Sequence, residues 1–180
     1  MRKVVVAEFL SLDGVMEEPA WSMPYWNDEI ARFKTDESFA SDAHLLGRIT
    51  YQGFAKVWPT RTGEEGADRM NDLPKYVVST TLEKAEWNNS HVIKANVAEA
   101  VNLLKRQPGQ DILVAGSATL VQTLIKENLV DEYHLLVYPV VVGKGKRLFQ
   151  DGTTTVLQLV DSKTFSSGVM ALIYQPAQGK

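Results

Sequence analysis

The chain contains no cysteine. Disulfides, thiolate metal sites and cysteine nucleophiles are therefore excluded, and nothing suggests a stapled, secreted fold. Histidine is scarce too: His44, His91 and His134 are scattered, with no His-x-x-x-His pair, so no metal site is expected. Long apolar runs are missing, and none could span a bilayer. Met1–Val6 lacks the extended apolar region of a signal peptide. The expectation is a cytoplasmic protein with no membrane partner. Basic residues are not in excess: 19 Lys and Arg against 22 Asp and Glu give a net charge of −3, so no global field attracts nucleic acid. There is no Gly-x-Ser-x-Gly elbow of the hydrolase kind, and no repeat, low-complexity tract or linker interrupts the 180 residues. One domain spanning 1–180, long enough to bury a substantial core, is expected.

What is present is a pair of junctions. Leu46-Gly47-Arg48-Ile49-Thr50-Tyr51 ends an apolar stretch and opens a helix. A glycine there permits a tight turn and close approach of a ligand, and the first free N–H groups of the helix favour an anion. Arg48 adds a planar cation suited to phosphate and Thr50 a hydroxyl. A junction of similar character follows at Val114-Ala115-Gly116-Ser117-Ala118-Thr119. Two such junctions suggest a ligand with more than one phosphate, such as a dinucleotide.

The intervening pattern predicts strands at Lys3–Phe9, Ala43–Leu46, Tyr76–Ser79, Asp111–Ala115 and Glu132–Tyr138, with a very short one at Val92-Ile93. Helices are predicted from Asp28 to about Phe39, behind an Asn27 cap, and from Arg48 to about Lys56. Two more run from Asn96 to about Arg106 and onward from a Ser117 cap. Segments 11–27 and 58–72 read as loops, the second exposed and mobile. Thr155–Phe165 and Val169–Gln175, separated by Ser166-Ser167-Gly168, read as an antiparallel hairpin. Strands alternating with helices, then strands alone, imply an α/β domain with a mostly parallel sheet and an antiparallel C-terminal edge.

In order and spacing these motifs resemble the dihydrofolate reductase superfamily, and in particular its branch that includes the reductase domain of bacterial riboflavin biosynthesis. Ser11-Leu12-Asp13-Gly14 is similar to that branch's Ser-Leu-Asp-Gly motif. Gly47-Arg48-Ile49-Thr50-Tyr51 resembles the superfamily's Gly-Arg-x-Thr-aromatic signature, and Tyr76-Val77-Val78-Ser79-Thr80 its next strand. Ala115-Gly116-Ser117 stands where many relatives have a Gly-Gly pair. Leu129-Val130-Asp131-Glu132, Tyr138-Pro139-Val140 and Gly143-Lys144-Gly145 resemble the riboflavin-type enzymes.

The resemblance implies a dihydrofolate reductase-like three-layer fold, helices on both faces of the sheet, and NADPH lying across the C-terminal sheet edge. Arg48, Ser79 and Thr80 would surround the adenosine 2′-phosphate. Gly47 and Thr50 would face the pyrophosphate from one side, and Gly116, Ser117, Ala118 and Thr119 from the other. Asp13 would lie near the nicotinamide. Glu29 takes the position of the folate enzymes' carboxylate, with Phe33 one turn on, and Trp26, with Trp21 and Tyr25, could offer flat surfaces to a heteroaromatic substrate. The implied activity is hydride delivery to a small heteroaromatic or ribosylamino-pyrimidine substrate, as in 5-amino-6-(5-phosphoribosylamino)uracil reductase. Dihydrofolate-type reduction and a non-catalytic NADPH-binding module are the alternatives, and a homodimer is expected. Each site residue also has a plainer reading. Arg48 can pair along its own helix, Glu29 can complement a helix dipole, Asp13-Gly14 can be a turn, and the tryptophans can be packing.

Overall fold

The computed structural model describes residues 1–177. Strands β1 (Val4–Leu10), β2 (Ser41–Gly47), β3 (Lys75–Val78), β4 (Ser90–Ile93), β5 (Asp111–Val114), β6 (Glu132–Val137), β7 (Leu157–Thr164) and β8 (Met170–Pro176) form one sheet in the order β4-β3-β2-β5-β1-β6-β8-β7. β1 pairs in parallel with β5 and β6, β2 with β3 and β5, and β3 with β4. β8 runs antiparallel between β6 and β7. The first six strands therefore finish at one sheet edge, where connections lead into the helices.

The helices are α1 (Asp28–Phe39), α2 (Arg48–Val57), α3 (Glu65–Asp72), α4 (Val97–Arg106) and α5 (Ala118–Lys126). Alternation along the strands sorts them into two layers. Val4, Val6, Leu45, Ile112, Val114 and Leu135 pack with Val101 and Leu104 of α4 and Leu120, Val121 and Leu124 of α5. On the other face, Ile30 of α1 packs with Leu136, Tyr138 and Phe165, while Tyr51 of α2 and Met70 of α3 pack with Leu46 and Val77. Each fully buried aliphatic side chain contributes roughly 1.5–3 kcal/mol relative to exposure. The three-layer α/β fold expected from the sequence is thus present.

Two expectations are corrected. Segment 58–72 is not a featureless loop: a short 3-10 turn (Trp58–Thr60) is followed by α3. Its Ala67 and Met70, one turn apart, are buried. Two apolar positions amid Gly63, Gly66 and four acidic residues gave too little periodicity to read. Segment 11–27 contains a 3-10 turn at Pro19–Tyr25 and an isolated bridge from Val15 to Arg147. The Asn27 cap is as expected, its side chain accepting from the Ile30 N–H at 3.0 Å.

α3 is tied down by a buried cation. Lys75 is fully buried, and its Nζ donates to the carbonyls of Asn71, Leu73 and Asn88 at 2.7–2.9 Å. Nζ also lies 4.3 Å from the Trp87 ring centroid. Burial pushes this amine down to about 8.

Candidate functional site

The two glycine junctions meet. The Gly47 N–H donates to the Gly116 carbonyl at 3.0 Å. A Cβ at Gly47 would lie 2.7 Å from the Ser117 Cβ, and one at Gly116 would lie 2.8 Å from the Thr50 Oγ1. Gly116 also has φ +93°, a conformation that disfavours any side chain. Both glycines are therefore required by close approach: Gly47 admits Ser117, and Gly116 admits Thr50. The consequence is that α2 and α5 begin side by side at the C-terminal sheet edge.

The two helix starts differ. Ser117 caps α5, accepting from the Leu120 N–H at 3.5 Å. α2 begins at Gly47 with no side-chain cap, so its first N–H groups are available to an anion. Arg48 is half-buried and donates to Gln52 Oε1 at 3.1 Å. Among the described residues it forms no ion pair, so its charge is not neutralised by a carboxylate. Ser79 is buried, and its Oγ accepts from the N–H groups of Thr81 and Leu82 at 3.2 and 2.9 Å. That hydroxyl closes a local turn. Thr80 and Thr119 are exposed, whereas the Ala118 side chain joins the core.

The residues expected on the acceptor side serve the scaffold. Asp13 accepts from the Ser11 hydroxyl at 2.6 Å and from the N–H groups of Val142 and Gly143 at 3.1 and 2.8 Å. These bonds, the Ser11 hydroxyl first, hold its carboxyl down to about 2. It is an ionised anchor for the loop after β6 and carries no proton to give. Glu29 accepts from the hydroxyl and N–H of Ser166, and from Asn27, which lowers its pKa. It ties the start of α1 to the β7–β8 turn. Phe33 packs edge-on against Phe165 at 5.8 Å and beside His134. Trp21 and Tyr25 pack around Tyr138 at 5.6 and 5.9 Å between centroids. Trp26 is 47% exposed.

The chemistry that sequence reasoning missed is buried. Glu8, in the middle of β1, is almost wholly inaccessible, and its Oε1 has no hydrogen-bond partner. Burial raises its pKa to about 8, opposed by the field of Lys34 and by the Gly116 N–H. Lys34 of α1 pairs with Glu37 and sits 5.6 Å from the Phe9 ring centroid. Glu37 in turn binds His134 Nδ1 at 2.8 Å, and His134 Nε2 binds Glu132 at 2.7 Å. His44 is buried with neither ring nitrogen bonded, and burial lowers it to about 4. The one available signal was Glu8 itself, a single charge inside the apolar run Val4–Leu10.

A separate open concavity of about 1020 Å³ lies between α2, α3 and the segment before β4, lined by Tyr51, Gln52, Lys56, Asn71, Lys84 and Trp87, among others. It contains none of the expected site residues.

Comparison with known proteins agrees with this architecture. The Bacillus subtilis (strain 168) protein YyaP, itself uncharacterized, is 33% identical over 178 residues, covering 96% of this chain and 94% of YyaP. The fold of a Shewanella sp. PV-4 protein assigned provisionally to riboflavin biosynthesis superposes with a TM-score of 0.74 at 16% identity, covering 98% of this chain and 99% of that one. The Thermotoga maritima diaminohydroxyphosphoribosylaminopyrimidine deaminase/5-amino-6-(5-phosphoribosylamino)uracil reductase superposes with a TM-score of 0.68 at 16% identity, covering 98% of this chain and 57% of the bifunctional one. The model of the RibD C-terminal domain matches residues 2–171. With that match over nearly its whole length, the chain belongs to the RibD C-terminal domain family.

Proposed function

We propose that this chain is an NADPH-dependent reductase that delivers a hydride to a small heteroaromatic or ribosylamino-pyrimidine acceptor. What carries it is the contact of two helix starts at Gly47 and Gly116, one of them uncapped and flanked by an unneutralised arginine. Such a place suits a pyrophosphate, with Arg48 directed to an additional phosphate. The family and the named reductase activity of the Thermotoga relative support the same reading.

The donor set fits the cofactor's phosphates: α2 starts without a side-chain cap, and Arg48 beside it meets only the neutral Gln52. Gly47, Arg48, Thr50, Gly116, Ser117 and the first amides of α5 would hold the phosphates. When bound, NADPH supplies the hydride, and the protein orients it and excludes water. Dihydrofolate-type reduction would require a carboxylate free to meet the substrate, and Glu29 is instead bound to Ser166. Calorimetric titration tests the assignment: NADPH binds, NADH binds more weakly, and the 5-amino-6-(5-phosphoribosylamino)uracil-type acceptor oxidises NADPH. Binding without oxidation by any such acceptor would favour a nucleotide-binding module.

A homodimer built on the C-terminal strands is part of this proposal. β7 is an edge strand exposed along most of its length, and Val156, Leu159 and Val160 are 58%, 49% and 53% exposed. Unpaired apolar edge strands invite pairing. Among the described residues no helix is long and apolar enough to cross a membrane, and a cytoplasmic setting accords with the proposed chemistry.

A further inference from the structure

The strand order arranges the C-terminal edge as a line: Ser79 after β3, Gly47 ending β2, Gly116 after β5, then β1. If phosphates occupy the first three positions, the other head of a dinucleotide lies over β1. Val6 pairs with Val114, so Glu8 stands level with Gly116 on the neighbouring strand. Its unpaired Oε1 is 3.9 Å from the Cβ position that Gly116 leaves empty, and the Thr50 hydroxyl lies on that same position at 2.8 Å. A buried carboxyl oxygen without a partner is costly, and here it sits where the proposed ligand turns toward its reactive ring.

We propose that Glu8 is the proton-bearing acid of this site, facing the redox end of the bound dinucleotide and supplying the proton consumed when an acceptor is reduced. This rests on the NADPH reading above. In the balanced step, the acceptor carbon of a C=N or C=O group gains a hydride from the reduced nicotinamide. The displaced π pair moves to the heteroatom, which takes the Glu8 proton. Glu8 is left as a carboxylate and recovers a proton from water.

The surroundings suit this role. Burial favours the neutral form of Glu8, raising it to about 8. The charges that reach it come from α1: Lys34, which favours the carboxylate, and Glu37, which opposes it. From α2 it meets the Thr50 hydroxyl, from the β5–α5 junction the Gly116 N–H, and its register partner on β6 is the apolar Leu135. Asp13 and Glu29 are both shifted toward the ionised form by their hydrogen bonds. Both carboxylates are engaged by those partners.

The test exploits the ring's charge. Oxidised nicotinamide is a cation and reduced nicotinamide is not, so a carboxylic acid beside it is ionised by NADP⁺ alone. Calorimetric titrations near neutral pH, in buffers of different ionisation heat, count the protons released. The expected result is about one proton released per NADP⁺ and none per NADPH, with Glu8→Gln binding both and releasing none. Should Glu8→Gln fail to fold, infrared difference spectra of the unaltered protein still decide, through loss of a protonated carboxyl band on adding NADP⁺ but not NADPH. Equal release by the two nucleotides, release unchanged in Glu8→Gln, or no loss of the band overturns the proposal for Glu8 while leaving cofactor binding intact. Failure of both nucleotides to bind overturns the cofactor reading and this proposal with it.

Discussion

Gly47 and Gly116 are 69 positions apart in sequence, yet the N–H of the first donates to the carbonyl of the second at 3.0 Å. That single hydrogen bond joins the starts of α2 and α5 and brings two of the expected phosphate motifs together at the sheet edge.

Arg48→Ala should separate the two nicotinamide cofactors. Losing a charge-assisted contact to a phosphate costs about 1.5–3 kcal/mol, so NADPH affinity should fall roughly tenfold or more while NADH affinity changes little. Titration of both ligands against the variant checks this. An equal loss for both would remove Arg48 from the 2′-phosphate.

Gly116→Ala should both destabilise the fold and abolish nucleotide binding. The new methyl group would meet the Thr50 hydroxyl and would stand on a residue with φ +93°. Strain of this kind costs on the order of 1–3 kcal/mol, read as a lower denaturant midpoint with unchanged slope. Pairing it with Thr50→Ser, which keeps the hydroxyl, should rescue little; pairing it with Thr50→Ala should rescue more.

The fold was legible because its elements carry strong local signals. Asn27 and Ser117 cap helices as their side chains suggest, and the valine run of β1 is buried as such runs usually are. α3 escaped because two apolar residues cannot define a helical face. The Gly47 and Gly116 junctions were legible for the same local reason: glycine, arginine and hydroxyl residues announce the turn from strand to helix. The acceptor side was not, because its side chains take their roles from partners far away in sequence. Glu29 meets Ser166, Asp13 meets Val142 and Gly143, and Glu37 meets His134. A carboxylate's partners, rather than its motif, decide whether it is an anchor or an acid, and Glu8 stood out only by being charged where its neighbours are apolar.

Asp13→Asn should loosen the loop after β6 and flatten the acid limb of the stability curve. The folded pKa of Asp13, about 2, lies below its unfolded value of about 3.9. Its contribution is therefore fully present above the unfolded value and is lost as pH falls toward the folded one. Urea melts between mildly acidic pH and the most acidic pH at which the protein folds should show the slope in the parent protein and a smaller slope in the variant. Hydrogen exchange of the Val142 and Gly143 amides should accelerate.

His134 should impose the opposite dependence. Its pKa is raised: burial opposes the charge, but the hydrogen bonds its ring N–H groups donate to Glu37 and Glu132 outweigh it. Its stabilisation is complete below the unfolded pKa of about 6.5 and declines as pH rises through the folded value. His134→Gln should remove that decline. It should also cost on the order of 3 kcal/mol at mildly acidic pH by leaving buried Glu37 with Lys34 alone, measured by denaturant melts across that range.

Leu159→Glu on β7 should shift the protein to monomer in light scattering, with thermal stability of the monomer nearly unchanged, because Leu159 is 49% exposed in the single chain. A parent protein that is already monomeric would remove the dimer from the proposal.

The most direct measurement is the change in backbone amide NMR shifts on adding NADPH. The account predicts the largest changes at Arg48, Ile49, Thr50, Ser117 and Ala118, at the two adjoining helix starts. Shifts confined to the concavity around Trp87 and Lys84, or no shifts at saturating nucleotide, would contradict it.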